Sequence, residues 1–287
     1  MPKQIIVTAD DLGIDPEINK GIIETFQKGI LSSTALLMNA PYTNEGIKLA
    51  KENPEMETGI HLSIVEGISL RKVKSTITDP IPYFNDICLT RNWKEFLKKY
   101  IGGKINFIEL EEELELQIIE FLKHFSEIPF LNGTQHMHIM PRVWKIIMKL
   151  SKKYEIKAIR VPSLERPNNL WLTPRFPFLI PFQLLGEVAK NSAIKSKIKT
   201  PDGVIGLQFS GKISEDVFLK ILNVIPNNKS VEIVMHPGYE SINLRNELPW
   251  AYSVFDWEME LKTLLSANIK KYIENNHINI IKFKDLT

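Results

Sequence analysis

Short apolar runs of β type alternate with longer amphipathic segments along the whole chain, and this alternation limits the possible folds more than any other feature. The runs lie near Gln4–Ala9, Ser33–Met38, Thr58–Leu62, Phe130–His136, Lys157–Val161, Val204–Gln208, Val231–Met235 and Asn279–Phe283. Helical patterns fall between them at 18–28, 44–53, 110–124, 141–153, 214–223 and 261–275, the first opened by Asp15-Pro16. Pro suits the first helical position because the amide it lacks has no partner there. Strands separated by helices pair in parallel, so the expected architecture is α/β, a deformed TIM-like (β/α) barrel of eight strands with loop insertions. A chain of 287 residues suits one such barrel, which typically takes ~250, and residues 1–287 are expected to form a single catalytic domain.

Two segments break the alternation and read as insertions. Residues 65–105 carry Pro80, Pro82, Gly102 and Gly103 with weak periodicity, as a long loop or small cap would. Residues 162–203 hold six prolines around the apolar stretch Phe176–Leu185, where Pro177 and Pro181 argue against a regular helix. That stretch reads as a lid or interface loop, as a contact for a lipid-like or aromatic substrate, or as the interface of a homodimer.

Composition excludes several functions. With 36 basic and 34 acidic residues, mixed locally, nothing points to nucleic acid as a partner. A single cysteine, Cys88, forbids an intramolecular disulfide and a Cys-based zinc site. No stretch approaches the ~20 apolar residues of a transmembrane segment, and MPKQIIVTADDLG lacks the apolar core of a signal peptide. A cytoplasmic protein is the expectation.

Chemistry-bearing residues cluster by position. Asp10 and Asp11 follow the first expected strand, His61 ends the third, His136 and His138 lie at the end of the fourth, Arg160 closes the fifth and His236 follows the seventh. β/α barrels place active sites at the C-terminal ends of their strands. Each signal has a plainer reading: the Asp pair as a turn or cap, His61 and His236 as hydrogen-bonded core histidines. Their coincidence on one face favours a site. In an extended chain His136 and His138 would point to the same side and could share a cation. Imidazoles with a carboxylate leave positions free on a divalent ion such as Zn²⁺ or Mg²⁺. Such an ion acidifies bound water and polarises a carbonyl, while the second carboxylate serves as base and a rim histidine as acid. That combination hydrolyses amides or esters.

The segment IIVTADDLGIDPEINKGIIETFQKGILSSTALLMNAP, followed by TGIHLSIVEG, LNGTQHMHIMP, IKAIRVPSLE, GLQFSG, VEIVMHPGY and WEMELKTLL, resembles the YdjC-like (ChbG/HpnK-type) carbohydrate deacetylase family over nearly the whole chain. The resemblance implies a deformed β/α barrel, a divalent metal ion and removal of acetyl groups from an N-acetylated sugar or oligosaccharide, with a lipid-linked sugar as a further substrate type. By motif, Asp10 is the expected base, Asp11 and His61 expected metal ligands, Arg160 the residue orienting the base, and His236 the acid or oxyanion stabiliser. The family's histidine ligand before His136 is here Thr134. Three outcomes are open: His136 or His138 supplies the nitrogen, the ion is held weakly with extra water, or the ion is lost and a sugar-binding relative remains. The first is the expectation.

Overall fold

The structure is a computed structural model, and it describes residues 2–79, 87–163, 176–247, 251 and 254–287, with side chains 176–179 left aside. In chain order the elements are β1 (Gln4–Leu12), α1 (Pro16–Lys28), β2 (Ser33–Leu37), α2 (Thr43–Glu52), β3 (Glu57–Leu62), β4 (Thr78–Asp79), β5 (Cys88–Leu89), α3 (Trp93–Ile101), α4 (Phe107–Leu122), β6 (Phe130–Gly133), α5 (Pro141–Lys153), β7 (Ala158–Ile159), α6 (Phe176–Lys195), β8 (Gly203–Ile205), α7 (Glu215–Val224), β9 (Ser230–Met235), α8 (Ile242–Glu247), α9 (Trp257–Leu265), α10 (Ala267–Asn275) and β10 (Asn279–Ile280).

The main sheet runs β7-β6-β3-β2-β1-β9-β8, and every pairing in it is parallel. Followed around from β1, the strands keep chain order, as in a barrel, with one break between β7 and β8. A single parallel bridge from Ala158 to Lys199 spans that break. The expected deformed barrel is therefore present, with seven strands in the ring among the described residues. The eighth expected strand, β10, adds only two residues to the start of β1.

Helix patterns explain how the ring is covered. Asp15 caps α1 by accepting from the Glu17 amide, Pro16 occupies the first turn, and Ile18 and Ile22 face the sheet. In α4, Leu110, Leu114, Ile118 and Phe121 form one buried stripe. On the same helix, buried Glu113 accepts from the Ser69 hydroxyl and the Leu70 and Arg71 amides. Gln117 pairs with the amide and carbonyl of Ser63. A buried carboxylate satisfied by loop amides fixes the loop that follows β3.

Three expectations change. The region 65–105 carries the antiparallel β4–β5 pair and α3. The stretch beginning at Phe176 is not a loop: α6 runs twenty residues with Pro181 inside it. Pro177 sits in the first turn, where no amide partner is needed, so only Pro181 costs the helix an internal bond. The expected helix 261–275 is two helices, broken at Ser266, whose hydroxyl accepts from the Ile269 amide. Pro167 and Pro174 lie outside the described residues. Among the described residues, no helix is long and apolar enough to cross a membrane.

Candidate active site

The site begins with an irregularity in β1. Ala9 pairs with Thr34 and Leu12 with Leu36, so three steps along β1 match two along β2. The extra residue makes a bulge, and Asp11 within it has φ +69°. Bulges re-aim side chains at strand ends, and aspartate is among the residues that enter the left-handed region most readily. Asp10 is thereby buried while the Asp11 side chain stays partly exposed.

Asp10 is pinned from strands elsewhere in the ring, by Asn132 of β6 and by Arg160 just after β7. Its Oδ2 takes Nη1 of Arg160 at 2.5 Å and its Oδ1 takes Nδ2 of Asn132 at 3.0 Å. Arg160 is fully buried and turns its other face to Glu232, with Nε 2.7 Å from Oε1. Burial alone would raise the Asp10 pKa. The Arg160 charge overrules it, aided by His61, the Arg160 hydrogen bond and His236, and holds the carboxyl well below its usual range. Burial raises Glu232 despite the opposing Arg160 charge.

Asn132 also orders His61. Because its amide NH₂ donates to Asp10, its Oδ1 must accept, and His61 Nδ1 approaches it at 2.5 Å. That assigns the proton to Nδ1 and turns Nε2 toward Asp11 Oδ1, 3.4 Å away. Burial works to lower the His61 pKa, but the Asp10 charge and the Asp11 and Asn132 contacts raise it.

His236 comes from the loop after β9. Gly21 and Gly238 let α1 and this loop meet backbone to backbone, since a Cβ on Gly21 would stand 2.5 Å from the Gly238 Cα. Glu260 of α9 holds the loop: its Oε2 accepts from the His236 amide at 2.5 Å and its Oε1 from the Ile213 amide at 3.0 Å. The His236 Nδ1 lies 3.7 Å from the same carboxylate. Burial opposes a charge on this ring, yet Glu260, then Asp11 and Asp10, raise its pKa. The Phe255 ring packs 4.5 Å from the imidazole.

The β6 end differs from expectation. The strand stops at Gly133, and residues 134–139 turn tightly, with Gln135 and His136 both at positive φ. The extended geometry that would align 134, 136 and 138 is therefore absent. His136 lies near Phe182, with ring centroids 6.2 Å apart. His138 donates from Nε2 to the Arg160 carbonyl at 2.8 Å. Its pKa falls to about 4 through burial, against that hydrogen bond and with the help of the Arg160 and His61 charges. Thr134 accepts from the Ile64 and Val65 amides at 3.2 and 3.4 Å and donates to the Val65 carbonyl at 3.0 Å.

The structure thus gathers Asp10, Asp11, His61 and Arg160, with His236 close enough for its charge to act on Asp10. Among the described residues, no group of three His, Cys, Asp or Glu side chains is placed to hold a metal ion. Donor chemistry suits a divalent cation at one point. Two ligands at about 2.0–2.2 Å from one ion stand roughly 3–3.5 Å apart, the spacing of Asp11 Oδ1 and His61 Nε2. Asn132, Glu232 and Glu260 escaped the sequence reading. Two left a signal: Glu232 interrupts the apolar run SVEIVM, and Glu260 falls on the buried side of its helix.

A family profile described as YdjC-like protein matches residues 4–275. The chain belongs to the YdjC-like family. A carbohydrate deacetylase of Clostridium beijerinckii is 28% identical over 284 residues, covering 99% of this chain and all of the relative. A mouse carbohydrate deacetylase is 26% identical over 301 residues, covering 99% and 94%. The crystal structure of an Enterococcus faecalis V583 protein named for cellobiose-phosphate cleavage superposes on this YdjC-like chain with TM-score 0.75 at 21% identity, covering 99% and 98%. That likeness establishes the shared fold.

Proposed function

We propose that this YdjC-like protein removes the acetyl group from an N-acetylated amino sugar or its oligosaccharide. One observation carries the reading: an ionised carboxylate, Asp10, is locked in place beside the Asp11–His61 pair, with a proton-holding imidazole, His236, in the same charge field. The full-length relatives named as carbohydrate deacetylases support it.

Asp11 and His61 are the residues that would hold a divalent ion. When bound, the ion supplies acidified water and a polarised acetamide carbonyl. Asp10, oriented by Arg160 and Asn132, takes the proton of the attacking water as a new C–O bond forms at the carbonyl carbon. His236 gives a proton to the amine nitrogen as the C–N bond breaks, and acetate and the free amino sugar leave. Glu260 keeps His236 protonated for that step.

The test is acetate release from N-acetylated chitooligosaccharides with divalent ion supplied. Asp10→Asn should lower the rate by about 10²–10⁴ while circular dichroism stays native. Undiminished release would remove Asp10 as the base, and no release by the native protein from any acetylated sugar would remove the function. A second reading places the sugar on a lipid. Ile180, Leu184 and Val188 leave an apolar stripe exposed along α6, and faster release from acetylated glycolipid in the same assay would favour it.

A further inference from the structure

We propose that the divalent site of this chain is a two-donor site, Asp11 and His61, open on the side of β6 because Thr134 closes that strand end with backbone hydrogen bonds and presents no ligand. The proposal takes from the deacetylase reading only that a divalent ion is used.

The remaining side chains are positioned by other contacts, even where a ring nitrogen has no hydrogen bond, as at Nδ1 of His136, His138 and His236. Asp10 has one oxygen on Asn132 and the other on Arg160. Glu232 is tied to Arg160, and His236 is turned to Glu260. His138 spends Nε2 on the Arg160 carbonyl, and its Nδ1 lies against Gly133, where a Cβ would stand 3.1 Å away. His136 leaves the β6 end on two left-handed residues and lies beside the Phe182 ring.

Register locates the open side. His61 pairs with Asn132 and Leu62 with Gly133, so Thr134 follows directly beside the strand that carries His61. Its hydroxyl answers two amides and one carbonyl of the 64–65 loop, which fills its ordinary capacity as one donor and two acceptors. No lone pair is left for a cation. Water must complete the shell, so the ion should exchange readily. Hard, water-retaining ions such as Mg²⁺ or Mn²⁺ suit such a shell better than a closed zinc site would.

The experiment is calorimetric titration of chelator-treated protein with Zn²⁺ and Mn²⁺, together with metal content after dialysis. The native chain should lose its ion on dialysis and rebind one equivalent weakly, and His61→Ala should abolish that binding. Thr134→His should tighten it by about 10–100-fold, a range that even partners behind the ligands reach. Thr134→Asp should do so in part, and its carboxylate can still accept the Ile64 and Val65 amides if the histidine variant does not fold. One ion retained stoichiometrically through dialysis would overturn the proposal. So would binding indifferent to His61, or folded Thr134→Asp and Thr134→His proteins that bind no tighter. If neither Thr134 variant folds, the native titration and His61→Ala decide. Acetate release is measured separately: its absence alongside the expected titrations removes the deacetylase reading and leaves the two-donor site standing.

Discussion

The two halves of the site are built differently. On the side of β1, β7 and β9, each buried charge has a partner: Asp10 and Glu232 share Arg160, and Glu260 supports the loop that carries His236. On the side of β3 and β6, the Thr134 hydroxyl is spent on the 64–65 loop, and His136 and His138, like His236 opposite, rest with Nδ1 lacking a hydrogen bond. The first half holds protons and charge in fixed places. In the proposed two-donor site, the second half would leave coordination to water. The contrast suggests that the proton-transfer groups depend on internal ion pairs, whereas the β6 end depends on loop closure and burial.

Removing the shared cation should give the largest effect. Arg160→Met leaves Asp10 and Glu232 buried without their partner, and breaking a buried pair from one side costs about 3–5 kcal/mol. Urea unfolding at neutral pH measures it. A loss below about 1 kcal/mol would mean that the charged half is not held together by Arg160, and the contrast between the halves would collapse.

On the β6 side, the next effect is a dependence on acid. His138 has a native pKa of about 4 against an ordinary 6.5, so the unfolded chain takes up its proton first as pH falls. The stabilisation is whole above pH 6.5 and is lost progressively down to about pH 4. The loss amounts to about 3 kcal/mol at 1.36 kcal/mol per unit. Burial lowers His136 in the same direction. Stability measured between pH 4 and 7 should therefore slope less in His138→Gln than in the native protein. Equal slopes would show that His138 is solvated and that the β6 end is looser than its burial indicates.

The difference between the halves also explains what the sequence could reveal. Asp10, Asp11, His61, Arg160 and His236 were legible because each lies at or just after the C-terminal end of a strand and the fold puts strand ends together. Glu232 and Glu260 were not, because a carboxylate on a buried face looks like an anomaly until its partner is known, and Arg160 is 72 residues away from Glu232. Thr134 was legible as a departure, but its role rests on contacts with residues 64 and 65 across the sheet. The turn after it had no local signal: neither Gln135 nor His136 is a glycine, yet both take positive φ. The ring itself was legible from alternation, while α6 was masked by Pro177 and Pro181, of which the first falls in a turn that needs no amide partner and the second is carried inside the helix.

The smallest effect tests how the charged half sets the acid. Glu260 is wholly buried and contacts His236 twice, through the backbone amide and beside the ring. Glu260→Gln keeps a carbonyl acceptor for an amide but removes the charge that holds the ring protonated. The native ring has a raised pKa, so the protonated form persists above pH 6.5 and disappears as pH rises through the raised value. In the variant, the basic limb of the rate profile should move to lower pH, with the rate on its acidic side largely retained. The stability this ionisation contributes, present below pH 6.5 and lost as pH rises through the native value, should shrink in parallel. A uniform drop in rate at every pH, with the limb unmoved, would make Glu260 a loop anchor alone. The proton on His236 would then depend on the Asp10 and Asp11 charges of β1 instead.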